Sequence, residues 1–431
     1  VCRRGPVVAT AVRLARESGA QSVFCSFAYD AATLSRQRAL QSALEEEGLR
    51  ATLVHDAPAV SPEDTAAVRS EGGGSGYRSF APYFAAWSSQ PRTPFATRLT
   101  FAAVSLKSES LPDPIEFATA SFENDNAPAF SNARPPAHSD GRSAALWDVR
   151  GAAPSEQAAL AALDAYLAGP GLAYSSARAI PAGEPTSRLS AALGLGTIAA
   201  RTVLARVEQR ARDPFLLAEE RFALQAFTRA IARRDFFLQL AWFFEERPDA
   251  PLQERMRRFP FAATHPQLPA WQRGRTGFPL VDAGIRQLLA TGWMHPRARL
   301  VAASFLCFDL GVDWRVGRDF WETQLEEDDP ALATGNWQWV AGVGADLAQF
   351  PRIYNPRKQA RALDPAGTYV RRYVAELANV PEQHFITGRT EEEAQLRLPL
   401  YADAAYPAPI LDHGTEARAF LRRYSAFTTS T

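Results

Sequence analysis

Lysine is almost missing from this chain. Of 47 basic side chains only Lys107 and Lys358 are lysine, and 47 acidic ones bring the net charge to zero. No global field therefore draws the protein to nucleic acid, and any such role falls to local patches. A GC-rich genome accounts for the arginine bias by itself, although arginine is also the better bidentate ligand for phosphate. Cysteine is equally sparse. Cys2, Cys25 and Cys307 are scattered without a CxxC pair, which excludes a disulfide framework or a cysteine-bound zinc or iron–sulfur centre and fits a reducing, cytoplasmic compartment. The six histidines lie far apart with no HExxH, so no metal site is expected. No apolar run reaches the ~18 residues of a membrane helix, and no signal peptide is visible. GxSxG, kinase and Gly-rich dinucleotide signatures are missing too. The chain opens on Val1 rather than Met, so a start inside a longer parent or a mis-called reading frame is expected.

What is present suits a two- or three-domain globular protein of 431 residues, 46% apolar and 22% charged. Residues 7–18 read as a helix ending at Gly19, 21–27 as a strand, 32–48 as an amphipathic helix stopped by Gly48, and 50–56 as a second strand. This order predicts a parallel α/β layer, but the strand that should precede the first helix is missing. EGGGSGYRSF (71–80) has neither a feeding strand nor a following GK[ST], so it reads as a turn rather than a phosphate loop. Residues 89–150 are polar and weakly periodic, a long connector in which RLTFAAVSL could hide strands. From 152 onward, segments such as 156–169, 190–211, 220–246 and 281–292 space apolar residues at three and four, which predicts an all-α domain. The expected domains are 1–88, 89–150 and 151–431.

Several residue groups could carry chemistry. Thr186, Ser187, Arg188, Leu189 and Ser190 place hydroxyls and a guanidinium before an Ala/Leu-rich helix. That composition suits a pyrophosphate and equally an ordinary N-cap. The acidic run Glu326–Asp329 precedes Pro330. It could meet a polar ligand edge, pair with Arg299, or compensate a helix dipole. Trp337 and Trp339 are core aromatics or redox-active indoles, and His295 is by default a core histidine. Residues 277–356 hold five of the nine tryptophans, Trp293, Trp314, Trp337 and Trp339 among them, beside these carboxylates, which suggests a buried polar pocket lined with indoles.

TSRLS, RRDFF, TGFPLVDAGIRQL, TGWMHPRAR, VDWR, NWQWVAGVGAD and RIYNP, in this order, resemble the photolyase/cryptochrome flavoproteins. LDPAGTYVRRYVAEL and YPAPILDHGTEAR extend the resemblance. It implies an α/β N-terminal domain, here with a truncated parallel sheet and flanking helices, and a larger all-α FAD-binding domain. Tyr174 and Thr186–Ser190 match positions on the phosphate and ribose side of FAD. Arg299 matches the arginine beside the isoalloxazine ring, and Glu327 and Asp329 match its acidic neighbours, the first usually Asp. Arg234 belongs to the same cofactor set. Ala333 stands beside flavin N5, where photolyases carry Asn. Trp337 and Trp314 match the inner electron donors. The outermost donor position falls on Phe261, so photoreduction is expected to end at Trp314, to use another aromatic such as Trp271 or Trp321, or to fail.

The resemblance further implies that a pyrimidine photoproduct is flipped out of DNA toward the flavin, with Ala230, Arg233, His295, Arg297 and Trp339 on the substrate side. Arg255, Arg257, Arg258, Arg273, Arg275, Lys358 and Arg361 are candidate phosphate contacts. Two departures bear on repair: Arg233 replaces the lesion-stacking tryptophan, and Ala230 replaces a glutamate that binds the damaged base. The loss of a base-stacking surface alone is worth ~1–3 kcal/mol. The missing first strand leads to the expectation that no antenna chromophore binds. Three readings are open: a photolyase acting on damaged DNA, a cryptochrome-like photoreceptor with a signalling partner protein, and a degenerate homologue. A monomer away from the membrane is expected in each case.

Overall fold

The computed structural model describes residues 5–29, 31–67, 76–91, 155–183, 185–244, 249–327, 329–346, 351–382 and 406–430. Most of the Gly-rich stretch at 71–75 and nearly all of the connector, including RLTFAAVSL, lie outside the described residues. Contacts group the described chain into two units, one ending at Ala57 and one built from Pro58–Arg92 with the chain from Val149 onward.

The first unit follows the sequence pattern. Helix α1 (Val7–Glu17) leads into β1 (Ser22–Ser26), α2 (Ala31–Glu46) and β2 (Arg50–Val54). The strands pair in parallel, Ser22 against Arg50 through Ser26 against Val54, because α2 supplies the crossover that a parallel pair needs. Ala15, Leu40 and Leu44 form the small core beneath Val23, Cys25 and Ala51.

The second unit is largely helical. It comprises α3 (Pro62–Ala67), α4 (Phe80–Ser89), α5 (Glu156–Ala168), α6 (Tyr174–Ala177), α7 (Ser190–Gly194), α8 (Ala200–Ala211) and the 26-residue α9 (Ala218–Phe243). After these come α10 (Leu268–Gln272), α11 (Pro279–Thr291), α12 (Pro296–Ser304), α13 (Trp314–Glu322), α14 (Pro330–Val340), α15 (Pro356–Leu363), α16 (Thr368–Tyr373) and α17 (His413–Ser430). The continuous helix suggested by apolar spacing over 190–211 is instead broken between α7 and α8. Gly196 adopts φ 72° there, a left-handed conformation that glycine takes without steric cost. No described helix is long and apolar enough to cross a membrane.

Three helix starts in this unit share one device. His295, Asp329 and Asn355 each accept a backbone N–H from the first turn, and each precedes a proline at the first helical position. Proline fits there because its missing N–H would have had no helical partner. Pro296 therefore starts α12 without loss. Between α12 and α13 the chain widens into a π-turn, Phe305–Asp309, wholly buried. Its Asp309 meets His413 Nδ1 at 2.5 Å, while Phe308 packs edge-on against Phe420 at 4.7 Å. These contacts seat α17 on the core.

Asp235 ties α9 to the chain before α3 and to α4. Its Oδ2 accepts the backbone N–H of Ala59 at 2.7 Å and of Val60 at 3.4 Å, and the Trp87 indole N–H at 3.0 Å. Burial nevertheless pushes the carboxyl from 3.8 up to about 6, because it outweighs Arg234 and these donors. A folded pKa above the unfolded one means that this group's contribution is fully present below about pH 4 and is lost as pH rises through 6. Unfolding free energy measured by denaturant titration should therefore show an Asp235-dependent decrease of up to about 3 kcal/mol between pH 4 and pH 7.5. Asp235→Asn should remove that part of the pH profile. A variant with an unchanged profile would contradict this assignment.

Candidate functional site

The walls of the site come from segments far apart in the chain. Arg299, on α12, donates through Nε to the Met294 carbonyl at 2.8 Å and pairs through Nη1 with Glu327. Burial draws the Glu327 carboxyl upward, but Arg299 and a hydrogen bond from Ser190 outweigh it and hold it below the usual range. On the other side, Arg234 of α9 reaches Asp329 at 3.6 Å and the Leu193 carbonyl at 3.3 Å. Asp329 also caps α14 by accepting from Leu332 N at 3.2 Å. Two carboxylates of the acidic run, Glu327 and Asp329, thus face guanidiniums, and Asp329 serves as a helix cap as well.

The stretch before α7 is not a simple cap. The residue preceding the helix is Leu189, with no side-chain cap. Thr186 and Ser187 fall short of that position. Thr186 Oγ1 is buried without a hydrogen-bond partner, and Arg188 holds a left-handed φ of 51°. The Arg188 guanidinium lies 4.1 Å from the Trp293 ring centroid. A buried hydroxyl with no partner is costly unless a ligand completes it, and a segment combining it with Arg188 and Ser190 fits the phosphate and ribose end of a dinucleotide such as FAD. Tyr174 stands nearby on α6, edge-on to Phe227 at 5.4 Å. Ala333 lies one turn along α14 from Asp329, its N–H on the Asp329 carbonyl at 2.9 Å.

Two glycines set the position of the indoles. A Cβ on Gly317 of α13 would lie 2.2 Å from the Trp337 ring, and one on Gly335 of α14 would lie 2.3 Å from Phe237 of α9. So pressed, Trp337 is buried and meets Trp321 at 4.5 Å between ring centroids. Trp321 continues to Trp271 at 6.4 Å, nearly parallel at 13°. Trp314, although fully buried, is flanked by Arg315 at 4.7 Å and Arg318 at 5.3 Å, with no ring contact among the described residues. Phe261 packs with Phe259 and Phe420. The substitutes named from sequence, Trp271 and Trp321, are therefore the ones joined to Trp337 by ring contacts.

The substrate-side residues divide. Trp339 is half-buried with the Arg352 guanidinium 5.2 Å from its ring, and Arg297 and Ala230 are half-buried. His295 is fully enclosed, as its default reading as a core histidine has it. Its Nδ1 accepts from Arg297 N at 3.1 Å. Burial first, then Arg297, Arg299 and Arg188, pushes its pKa down to about 3, so the ring stays neutral with its proton on Nε2, where it has no partner. Arg233 is held down as well, 3.8 Å from the Phe80 ring centroid and 3.6 Å from Asp346. Arg255, Arg257, Arg258, Arg273, Arg275, Lys358 and Arg361 are exposed on separate segments, with Arg257 paired to Glu254 at 3.3 Å. Sequence reasoning missed Phe80, Asp346 and Arg352. Only Arg352 had a usable signal, its place in RIYNP.

Comparison with known proteins agrees with this geometry. Residues 227–426 match the family described as the FAD binding domain of DNA photolyase, which supports FAD as the cofactor, and residues 1–100 match DNA photolyase. A deoxyribodipyrimidine photo-lyase of Streptomyces griseus is 34% identical over 98% of this chain and 83% of its own. One of a Synechococcus species is 31% identical over 96% and 79%. Among solved structures, a class III photolyase from Agrobacterium tumefaciens aligns with TM-score 0.75 and 28% identity, over 99% of this chain and 83% of that one. A Synechocystis cryptochrome aligns with TM-score 0.75 and 25% identity, over 97% and 81%. The chain belongs to the DNA photolyase/cryptochrome flavoprotein superfamily.

Proposed function

We propose that this protein binds FAD and carries out blue-light-driven electron transfer to pyrimidine photoproducts in DNA, as a photolyase. The observation that carries the reading is the run of indoles from Trp337 through Trp321 to Trp271, beginning on the helix that also bears Asp329 and Ala333. The chemistry a bound flavin supplies is one-electron reduction of the lesion under blue light, the electron returning once the dimer has split. The chain's own part is positional. Arg299 with Glu327 and Arg234 with Asp329 would hold the ring system. Arg188, Thr186, Ser190 and Tyr174 would hold the phosphate and ribose end. Trp337 would supply an electron from the protein side.

The route beyond Trp337 is set by the surroundings of each indole. Trp314 lies beside Arg315 and Arg318, whose charges are already paired with Asp313 and with Asp249 and Asp319, and among the described residues it makes no ring contact with Trp337. Trp321 offers a ring in direct contact with Trp337. Transient absorption of the flavin-loaded protein should show photoreduction abolished in Trp337→Phe and slowed roughly tenfold or more, a barrier change of about 1.4 kcal/mol, in Trp321→Phe. Trp314→Phe should change it less. Equal losses in the last two variants would remove the assignment.

A cryptochrome-like photoreceptor is the second reading. It is favoured by Ala333, whose methyl group cannot hydrogen-bond, and by Arg233, which leaves no stacking aromatic. One measurement separates the two. Purified protein, reduced and illuminated with blue light, should deplete cyclobutane dimers from a defined oligonucleotide. Photoreduction without dimer loss would support the photoreceptor instead, and a preparation without flavin would refute both.

A further inference from the structure

The face of α9 around Arg233 carries more positive charge than the surrounding carboxylates neutralise. Arg233 lies 3.8 Å from the Phe80 ring centroid, and Arg229, one turn earlier, lies 4.9 Å from the same ring and 4.5 Å from Phe84. At the end of neighbouring α6, Arg178 covers Tyr174 at 5.5 Å. Burial lowers the Arg233 pKa, Arg229 and Arg178 act on it in the same direction, and Asp346 opposes them. Asp346 is already committed: one oxygen accepts Phe80 N at 2.7 Å while the other faces Arg233 at 3.6 Å. Among the described residues no carboxylate pairs with Arg178 or Arg229, and both are exposed. Three guanidiniums thus share one neighbourhood in which a single carboxylate, Asp346, pairs with Arg233 alone, and each guanidinium rests on an aromatic ring.

We propose that Arg178, Arg229 and Arg233 form an anion site for a phosphodiester group of DNA, at the place where a lesion-stacking aromatic would otherwise read the damaged base. This rests on DNA being the substrate. A guanidinium cluster recognises charge rather than base identity, since phosphate contacts position a strand without reading it. Binding here is therefore driven by counterion release and is nearly the same for damaged and intact strands.

Fluorescence anisotropy of the flavin-loaded protein tests this, using duplex oligonucleotides with and without one cyclobutane dimer across a salt series. The expected result is discrimination below about tenfold, far less than base-reading sites achieve. Arg178→Gln combined with Arg229→Gln should lower the slope of log affinity against log salt by roughly 0.9 per arginine, on both duplexes alike. The corresponding lysine variants should keep the slope. Flavin content and melting temperature, unchanged at these exposed positions, show that the variants are folded. A wild-type slope in the double glutamine variant, or wild-type discrimination of roughly a hundredfold or more, would overturn the anion site alone. Wild-type protein that binds neither duplex at low salt would overturn the DNA reading, and the anion site with it.

Discussion

Helix α14 lies against α9 and α13 with no room for a single added methyl group. Gly335 presses against Phe237, and Gly317 presses against Trp337. Much of the site depends on this closeness. It lets Asp329, at the start of α14, reach Arg234 on α9, and it drives Trp337 onto Trp321. Packed interiors have little slack, so enlarging either glycine would move a carboxylate and an indole together. The charge pairs add a second constraint. A buried ion pair contributes modestly to stability, but removing one partner leaves an uncompensated charge. Arg299–Glu327 and Arg234–Asp329 therefore keep the cavity wall polar and fixed.

The proposed flavin side could be named from sequence because its residues lie in local motifs. Arg299, Glu327, Asp329 and Trp337 belong to short segments whose order carries the resemblance, and the helices that bear them show plain apolar spacing. Where two physical roles demand the same residue types, sequence was ambiguous. Ser and Thr before α7 could have been caps, and only the backbone places the capping position at Leu189. Asp329 proved to be both cap and ion-pair partner. The break at Gly196 was hidden because apolar spacing continues across it.

The substrate side was far less legible. Arg233 can be recognised as a substitution from its motif, but not its fate, because Phe80 and Asp346 come from distant parts of the chain and no periodicity links them. The same holds for Trp321 and Trp337, which sit on different helices. His295 shows the converse. Its residue-level reading was a core histidine and only the resemblance placed it on the substrate side; it caps α12 and lies wholly inside.

The indole N–H of Trp321 is buried with no hydrogen-bond partner. An indole that has lost an electron becomes a strong acid, and its fate then depends on whether a base is within reach. At Trp321 none is hydrogen-bonded to it, so the oxidised ring must keep its proton and remain a cation. A cation in this setting is refilled quickly from the direction in which its electron left, whereas a deprotonated neutral ring would persist. On the proposed route the separated charge would be short-lived, because the next ring in contact, Trp271, is itself fully buried.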